Sequence, residues 1–182
     1  MIEDKLLIWK FKRGSSDALC RIYEKYKDNM LRLASALLND SAAAEDIVHD
    51  CFVSFAQSSH RLKVSGNLRS YLAVSVASRA RNWNRARKRQ ETAGLNEAEP
   101  IISSYKRPEQ WIIYNEQLSL LNNALEQLSY QQREVISMRL QGGMKFKAIA
   151  GLQGVSINTV QSRYRYGLDK LRSILYAAGV FR

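Results

Sequence analysis

Within eight residues near the C-terminal end stand Asn158, Thr159, Gln161, Ser162, Arg163 and Arg165, a set of hydroxyls, carboxamides and forked guanidinium groups. Such groups hydrogen-bond to base edges and phosphate oxygens, so the chemistry they offer is recognition rather than bond making. A second set lies in the run RARNWNRARKR, where Arg79, Asn82, Trp83 and Arg85 mix cations with one aromatic ring. Cations that track phosphates beside an aromatic that stacks on a base suit single-stranded DNA. Trp83 and the nearby Tyr71 can equally well pack inside the protein, and the sequence leaves both readings open. Glu45, Asp46, His49 and Asp50 make a third set, facing outward together from one helical stretch.

Each set needs an element to hold it. Val160, Tyr164, Leu168, Leu171 and Leu175 recur at spacings of four, four, three and four, the buried stripe of an amphipathic helix. Ser156 can cap that helix, Gly151 to Val155 make a tight turn before it, and Ile149 and Ala150 face the interior from a preceding helix. This helix-turn-helix closes a run of four short helices between Leu118 and Leu175. Leu118, Leu121, Ala124, Leu125 and Leu128 form the stripe of the first, and Ser129 with Gln132 fits a capping box opening QQREVISMRL. In the first ninety residues, Ser15 or Ser16 can start a helix with Leu19, Ile22, Tyr23, Tyr26, Met30, Leu33 and Leu37 along one side, ending at Asn39 and Asp40. Asp40 or Ser41 then caps a helix whose apolar side is Ala44, Ile47, Val48, Cys51, Phe52 and Phe55. A third long helix runs from Leu68 towards Arg89. Periodicity lapses over 91–112, where Pro100, Pro108 and an acidic bias read as a linker.

The net charge of +11 comes in blocks. Residues 61–90 hold nine basic residues and no acid, and residues 133–182 hold nine against two; residues 1–60 and 91–132 are net acidic. One basic run is ordinarily just a solvated face, but two on one chain point to a polyanion. The basic stretches lack the wide apolar face of a membrane-surface helix, which leaves nucleic acid. No apolar run approaches the roughly 20 residues that span a bilayer, and the N-terminus is too charged for a signal peptide, so a cytoplasmic location is expected. Cys20, Cys51, His49 and His60 are isolated, and no metal, cofactor, P-loop or nucleophile pattern occurs.

Together these segments resemble the sigma-70 family of bacterial RNA polymerase sigma factors, in its extracytoplasmic-function group. AEDIVHDCF (Ala44 to Phe52) is similar to the family's region 2.2, usually close to AEDIVQDVF. LRSYLAVSVASRARNWNRARKR resembles regions 2.3 and 2.4, and LSYQQREVISMRLQGGMKFKAIAGLQGVSINTVQSRYRYGLDKLR resembles region 4. The resemblance implies an all-α chain: region 2 over 1–90, a flexible acidic linker over 91–112, and region 4 over 113–182. It implies a non-enzymatic subunit that directs core RNA polymerase to promoter DNA. Glu45, Asp46, His49 and Asp50 would hold the polymerase clamp, Arg79, Asn82, Trp83 and Arg85 the minus-10 strand, and Asn158, Thr159, Gln161, Ser162, Arg163 and Arg165 the minus-35 element. An anti-sigma protein is a further partner common in the group.

Four positions depart from the family pattern. His49 stands where Gln is usual, Ser78 where Asn is common, Asn82 where Asp is common and Ala148 where Glu usually precedes Ile-Ala. Asn82 and Ala148 each remove a negative charge beside DNA, which strengthens phosphate attraction. A stand-alone helix-turn-helix regulator would account for residues 128–172 but gives the acidic helix and RARNWNRARKR no purpose. A nucleic-acid enzyme would need more clustered carboxylates than Glu45 and Asp46 supply.

Overall fold

The computed structural model describes residues 2–58, 67–92 and 120–179, and among them finds eight α-helices and no strand. They are α1 (Ile2–Lys12), α2 (Ser16–Leu38), α3 (Ser41–Gln57), α4 (Leu68–Thr92), α5 (120–126), α6 (Tyr130–Leu140), α7 (Phe146–Gln153) and α8 (Ile157–Ala177). The all-α reading therefore holds; the greater part of the acidic linker lies outside the described residues.

Local chemistry sets the helix ends. Of the two candidates before α2, Ser15 caps it, its hydroxyl accepting from the Ala18 amide at 3.3 Å. Asn39 ends the helix in the left-handed region (φ 55°), a conformation that its short polar side chain tolerates. Asp40 rather than Ser41 caps α3, accepting from the Ala43 amide at 2.9 Å. At α6 both halves of the expected capping box form between Ser129 and Gln132.

Helix α1 was not foreseen. Four of its apolar residues, Leu6 to Trp9, stand in an unbroken run rather than at helical spacing, but Leu7 and Phe11, four apart, are both buried, and the Phe11 ring stacks on Phe55 with centroids 4.9 Å apart. Asp4 fastens the outer side of α1 to α2, accepting from the Tyr26 hydroxyl at 2.8 Å and from Lys25 Nζ at 2.9 Å. Burial pushes the Asp4 carboxyl up, yet these two hydrogen bonds outweigh it and hold the group below the usual carboxylate range.

Helices α1 to α4 form one bundle and α5 to α8 another, but the two share an interior. A single cluster of buried side chains runs from Ile22, Met30, Leu72, Ala73 and Val76 to Val135, Met138, Ile149 and Val160. A smaller cluster joins Ala36 of α2 to Leu125, Leu128, Ile136 and Leu171. Each large side chain so buried contributes about 1.5–3 kcal/mol relative to exposure. The two bundles are the two helical domains expected, and α6 of the second lies in contact with α2 and α4 of the first. The turn after α6 fits because Gly142 has no side chain: a Cβ there would stand 2.9 Å from the Ala73 Cβ and 2.6 Å from the Met138 carbonyl oxygen.

Candidate nucleic-acid interface

The helix-turn-helix forms from the expected parts. Gly154, at φ 65°, ends α7 with its amide donating to the Ala150 carbonyl, a turn that a residue with a Cβ would strain. Ser156 caps α8, accepting from the Thr159 amide at 3.0 Å. Val160 is fully buried, as is Ile149, and Phe146 of α7 meets Tyr164 edge-on at 5.2 Å. The first turns of α8 are thereby fixed against α7 with their polar side outward.

Six residues were expected on that side, and the structure separates them. Asn158, Gln161, Ser162 and Arg165 line an open depression of about 420 Å³ with Phe146 and Tyr164. Thr159 is half-buried, its hydroxyl 2.9 Å from that of the cap Ser156. Arg163 is turned inward and donates to Gln153 Oε1 at 2.8 Å. Arg165 lies over the Tyr166 ring at 4.9 Å, so an exposed aromatic absent from the expected set steadies an exposed guanidinium.

On α4, Asn82 and Arg85 are exposed, while Trp83 is half-buried and packed against the core. The Arg87 guanidinium covers its ring at 5.4 Å. Trp83 thus does some of each thing the sequence allowed: it packs, with part of its surface left beside cations. Asn84 anchors this stretch by donating to the Leu37 carbonyl at 3.1 Å. Arg79 behaves otherwise. It turns to α3, donating to Ser54 Oγ at 2.5 Å and standing 3.8 Å from the Asp50 carboxylate.

Glu45, Asp46, His49 and Asp50 are all exposed on α3, as their spacing required. Beside them Val53 and Tyr23 are exposed apolar groups, Tyr23 held edge-on to Phe52 at 4.9 Å. Beneath, Cys51 is buried, which pushes its thiol up, with the Ser75 hydroxyl 3.4 Å away. An acidic patch with an apolar fringe is suited to a protein partner rather than to DNA.

Two sets of contacts beside these surfaces escaped the sequence reading. Arg69 donates through Nε to the Gln141 carbonyl at 2.6 Å and through its terminal nitrogen to the Leu140 carbonyl at 2.9 Å, capping the C-terminus of α6. Arg81 Nε lies 2.6 Å from Glu134 Oε1, and Glu134 is itself buried. The sign that could have exposed this pair is Glu134 alone: one of two acids in the last fifty residues, set directly before Val135 and Ile136.

An acidic patch, a basic-aromatic helix and a helix-turn-helix on an all-α frame suit a DNA-binding protein that also docks on another protein. Comparison with known proteins makes this specific. Residues 22–90 match Sigma-70 region 2 and residues 118–171 match Sigma-70, region 4. The chain belongs to the sigma-70 family, in the extracytoplasmic-function group, and is a sigma factor that directs transcription initiation. It is 25% identical to the RNA polymerase sigma factor CarQ of Myxococcus xanthus over 91% of this chain and 94% of that protein. It is 23% identical to the ECF RNA polymerase sigma factor SigW of Bacillus subtilis over 94% and 96%. In fold it is similar to CnrH, solved in complex with the cytosolic domain of CnrY (TM-score 0.68, 19% identity, 96% and 98% covered). It is also similar to RpoE of Bartonella quintana, solved with the anti-sigma factor NepR (TM-score 0.62, 24% identity, 86% and 97% covered). Sigma factors are non-catalytic initiation factors. Among the described residues no helix is long and apolar enough to cross a membrane.

Proposed function

We propose that this sigma factor acts in the cytoplasm by dividing promoter recognition among three surfaces, with region 2 over 1–90 and region 4 over 113–182 joined by the acidic stretch 91–112. Glu45, Asp46, His49 and Asp50 on α3 dock on the clamp of core RNA polymerase. Asn82, Trp83 and Arg85 on α4 hold the minus-10 strand, with Arg79 bracing α4 against α3 and contributing charge. Asn158, Gln161, Ser162 and Arg165 on α8 enter minus-35 DNA, and Thr159 and Arg163 fix the helix that presents them. The observation that carries this reading is the depression at the start of α8, where exposed Asn158, Gln161 and Arg165 and half-buried Ser162 converge on the face that a recognition helix turns to DNA. An anti-sigma partner is supported by the complex in which the Bartonella relative was solved.

The test is run-off transcription on a genomic DNA library with purified core polymerase, with and without the protein. Discrete new starts that share two upstream elements are expected only when it is present. No new starts, together with tight binding of duplex DNA by the protein alone, would overturn the reading in favour of a stand-alone regulator.

A further inference from the structure

Helix α1 takes no part in the three surfaces above, yet its outer side is built like the proposed minus-10 helix. Lys5, Trp9 and Arg13 follow one another at intervals of four, running from α1 into the turn after it, the spacing that sets side chains along one face of a helix. On α4, Arg79, Trp83 and Arg87 repeat that order at the same intervals. In both places the closing arginine lies over the tryptophan: Arg13 stands 4.6 Å from the centre of the Trp9 ring and Arg87 5.4 Å from that of Trp83. A guanidinium over an indole steadies the ring and sets a cation beside it. Trp9 is the more open of the two, at 54% exposure, whereas Trp83 is half-buried.

The cations of α1 are not spent within the protein. Its two acids, Glu3 and Asp4, are both taken by Lys25, and these are the only ion pairs that α1 makes among the described residues. Lys5, Lys10, Lys12 and Arg13 are all exposed and keep their charge for a partner. Leu6 and Trp9 are the exposed large apolar groups of the described part of α1, too narrow a face to lie in a lipid surface. Cations around an open aromatic ring fit single-stranded nucleic acid instead, whose phosphates take the charge and whose bases stack on the ring.

The last turn of α3 joins this side of the molecule to α4. Phe11 of α1 stacks on Phe55, Phe55 lies 6.3 Å from Tyr71 in the first turn of α4, and the neighbouring Ser54 receives Arg79. Tyr71 is itself an exposed aromatic. From Tyr71 to Trp83 the helix rises roughly 18 Å at about 1.5 Å per residue. A strand held at Trp83 that continues towards the start of α4 therefore comes to Tyr71 and then, one helix on, to α1.

We propose that the outer side of α1 is a second platform for single-stranded DNA: Trp9 stacks a base of the opened promoter beyond the stretch that α4 holds, and Lys5, Lys12 and Arg13 bind the phosphates around it. The proposal rests on the assignment of α4 to the minus-10 strand.

The test uses holoenzyme assembled from core polymerase and the full chain, on a promoter recovered by run-off transcription. The photo-crosslinking residue p-benzoylphenylalanine replaces Trp9 in one preparation and Trp83 in another, and irradiation of the open complex should attach both to the same unpaired strand. Attachment at Trp83 with Trp9 joined only to a polymerase subunit or to duplex DNA overturns the α1 platform alone; no attachment to DNA at either position removes the α4 assignment and the platform with it. Trp9→Ala, checked for helicity by circular dichroism, gives a second reading. Loss of one stacked base should weaken binding of holoenzyme to fork DNA about tenfold when the unpaired strand runs past the minus-10 element, and leave binding unchanged when the strand is cut short there. Equal weakening on both forks, or on neither, overturns the platform. Vesicles of phosphatidylglycerol that bind the wild type but not Trp9→Ala, with DNA binding intact, would overturn it in favour of a lipid surface.

Discussion

Gly142→Ala should destabilise the protein by about 2–4 kcal/mol, although it adds only one methyl group in a turn. The new Cβ would stand 2.6 Å from the Met138 carbonyl oxygen and 2.9 Å from the Ala73 Cβ, both closer than any relaxed contact. Neither neighbour is the free end of a flexible side chain: one is α6 backbone and the other sits on buried α4. Forcing a methyl into such a site costs about 1–3 kcal/mol. The Met138 carbonyl also accepts from the Met144 amide at 3.2 Å, and moving it aside forfeits part of a hydrogen bond worth about 0.5–1.5 kcal/mol. Urea unfolding followed by circular dichroism measures the loss. Gly151→Ala provides the control, because nothing lies within 4 Å of its Cβ and the residue is helical; it should stabilise by about 0.5–1 kcal/mol. An unchanged midpoint for Gly142→Ala alongside a raised one for Gly151→Ala would refute the close packing of the α6 turn on α4.

The remaining predictions concern the separate surfaces. Asp46→Lys, at an exposed position on α3, should abolish pull-down of core polymerase while leaving the thermal transition where it was; full retention would remove the clamp role from this patch. Arg165→Ala should weaken binding by about 1–3 kcal/mol and relax specificity at one minus-35 position, read from competition among single-base promoter variants. Because the Asp4 carboxyl is held below its ordinary value, its contribution is complete above about pH 4 and disappears as the pH falls through the lowered value. Asp4→Asn should therefore be less stable than the wild type at neutral pH, with the gap between their urea midpoints closing on acidification. A gap independent of pH would show that the hydrogen bonds to Lys25 and Tyr26 do not stabilise the charged form.

What was legible in the sequence was what short-range chemistry determines. The Ser156 cap, the capping box of Ser129 and Gln132 and the stop at Asn39 each depend on residues within one helical turn. Val160 and Leu171 fell on the buried stripe because a 3.6-residue period follows from backbone geometry alone. The period does not say how deeply a residue sits, and Leu168 and Tyr164 on the same stripe are only half-buried. Exposure was legible too, for Glu45, Asp46, His49 and Asp50. The destination of long side chains was not: Arg79 and Arg163 have outward-facing or boundary positions but reach back to Ser54 and Gln153. Least legible was the contact between α4 and α6. Arg81 and Glu134 are 53 residues apart and Arg69 and Gln141 are 72 apart, and no periodicity links such pairs. Only the isolation of Glu134 in a basic, apolar stretch hinted that it had been retained for a partner. Helix α1 was overlooked because Leu6, Leu7, Ile8 and Trp9 are contiguous and show no helical period, although Leu7, Ile8 and Phe11 face the core.

The burial of Glu134 bears on how this protein would respond to ionic strength. Surface charges lose most of their attraction beyond a Debye length, about 8 Å at 0.15 M salt, but a carboxylate enclosed at hydrogen-bond distance from its guanidinium is little affected. DNA binding, in contrast, weakens steeply as salt rises, because each phosphate contact releases counterions. Rising salt should therefore weaken the hold on DNA well before it disturbs the Arg81–Glu134 pair inside the protein, so that affinity falls while the fold stays intact.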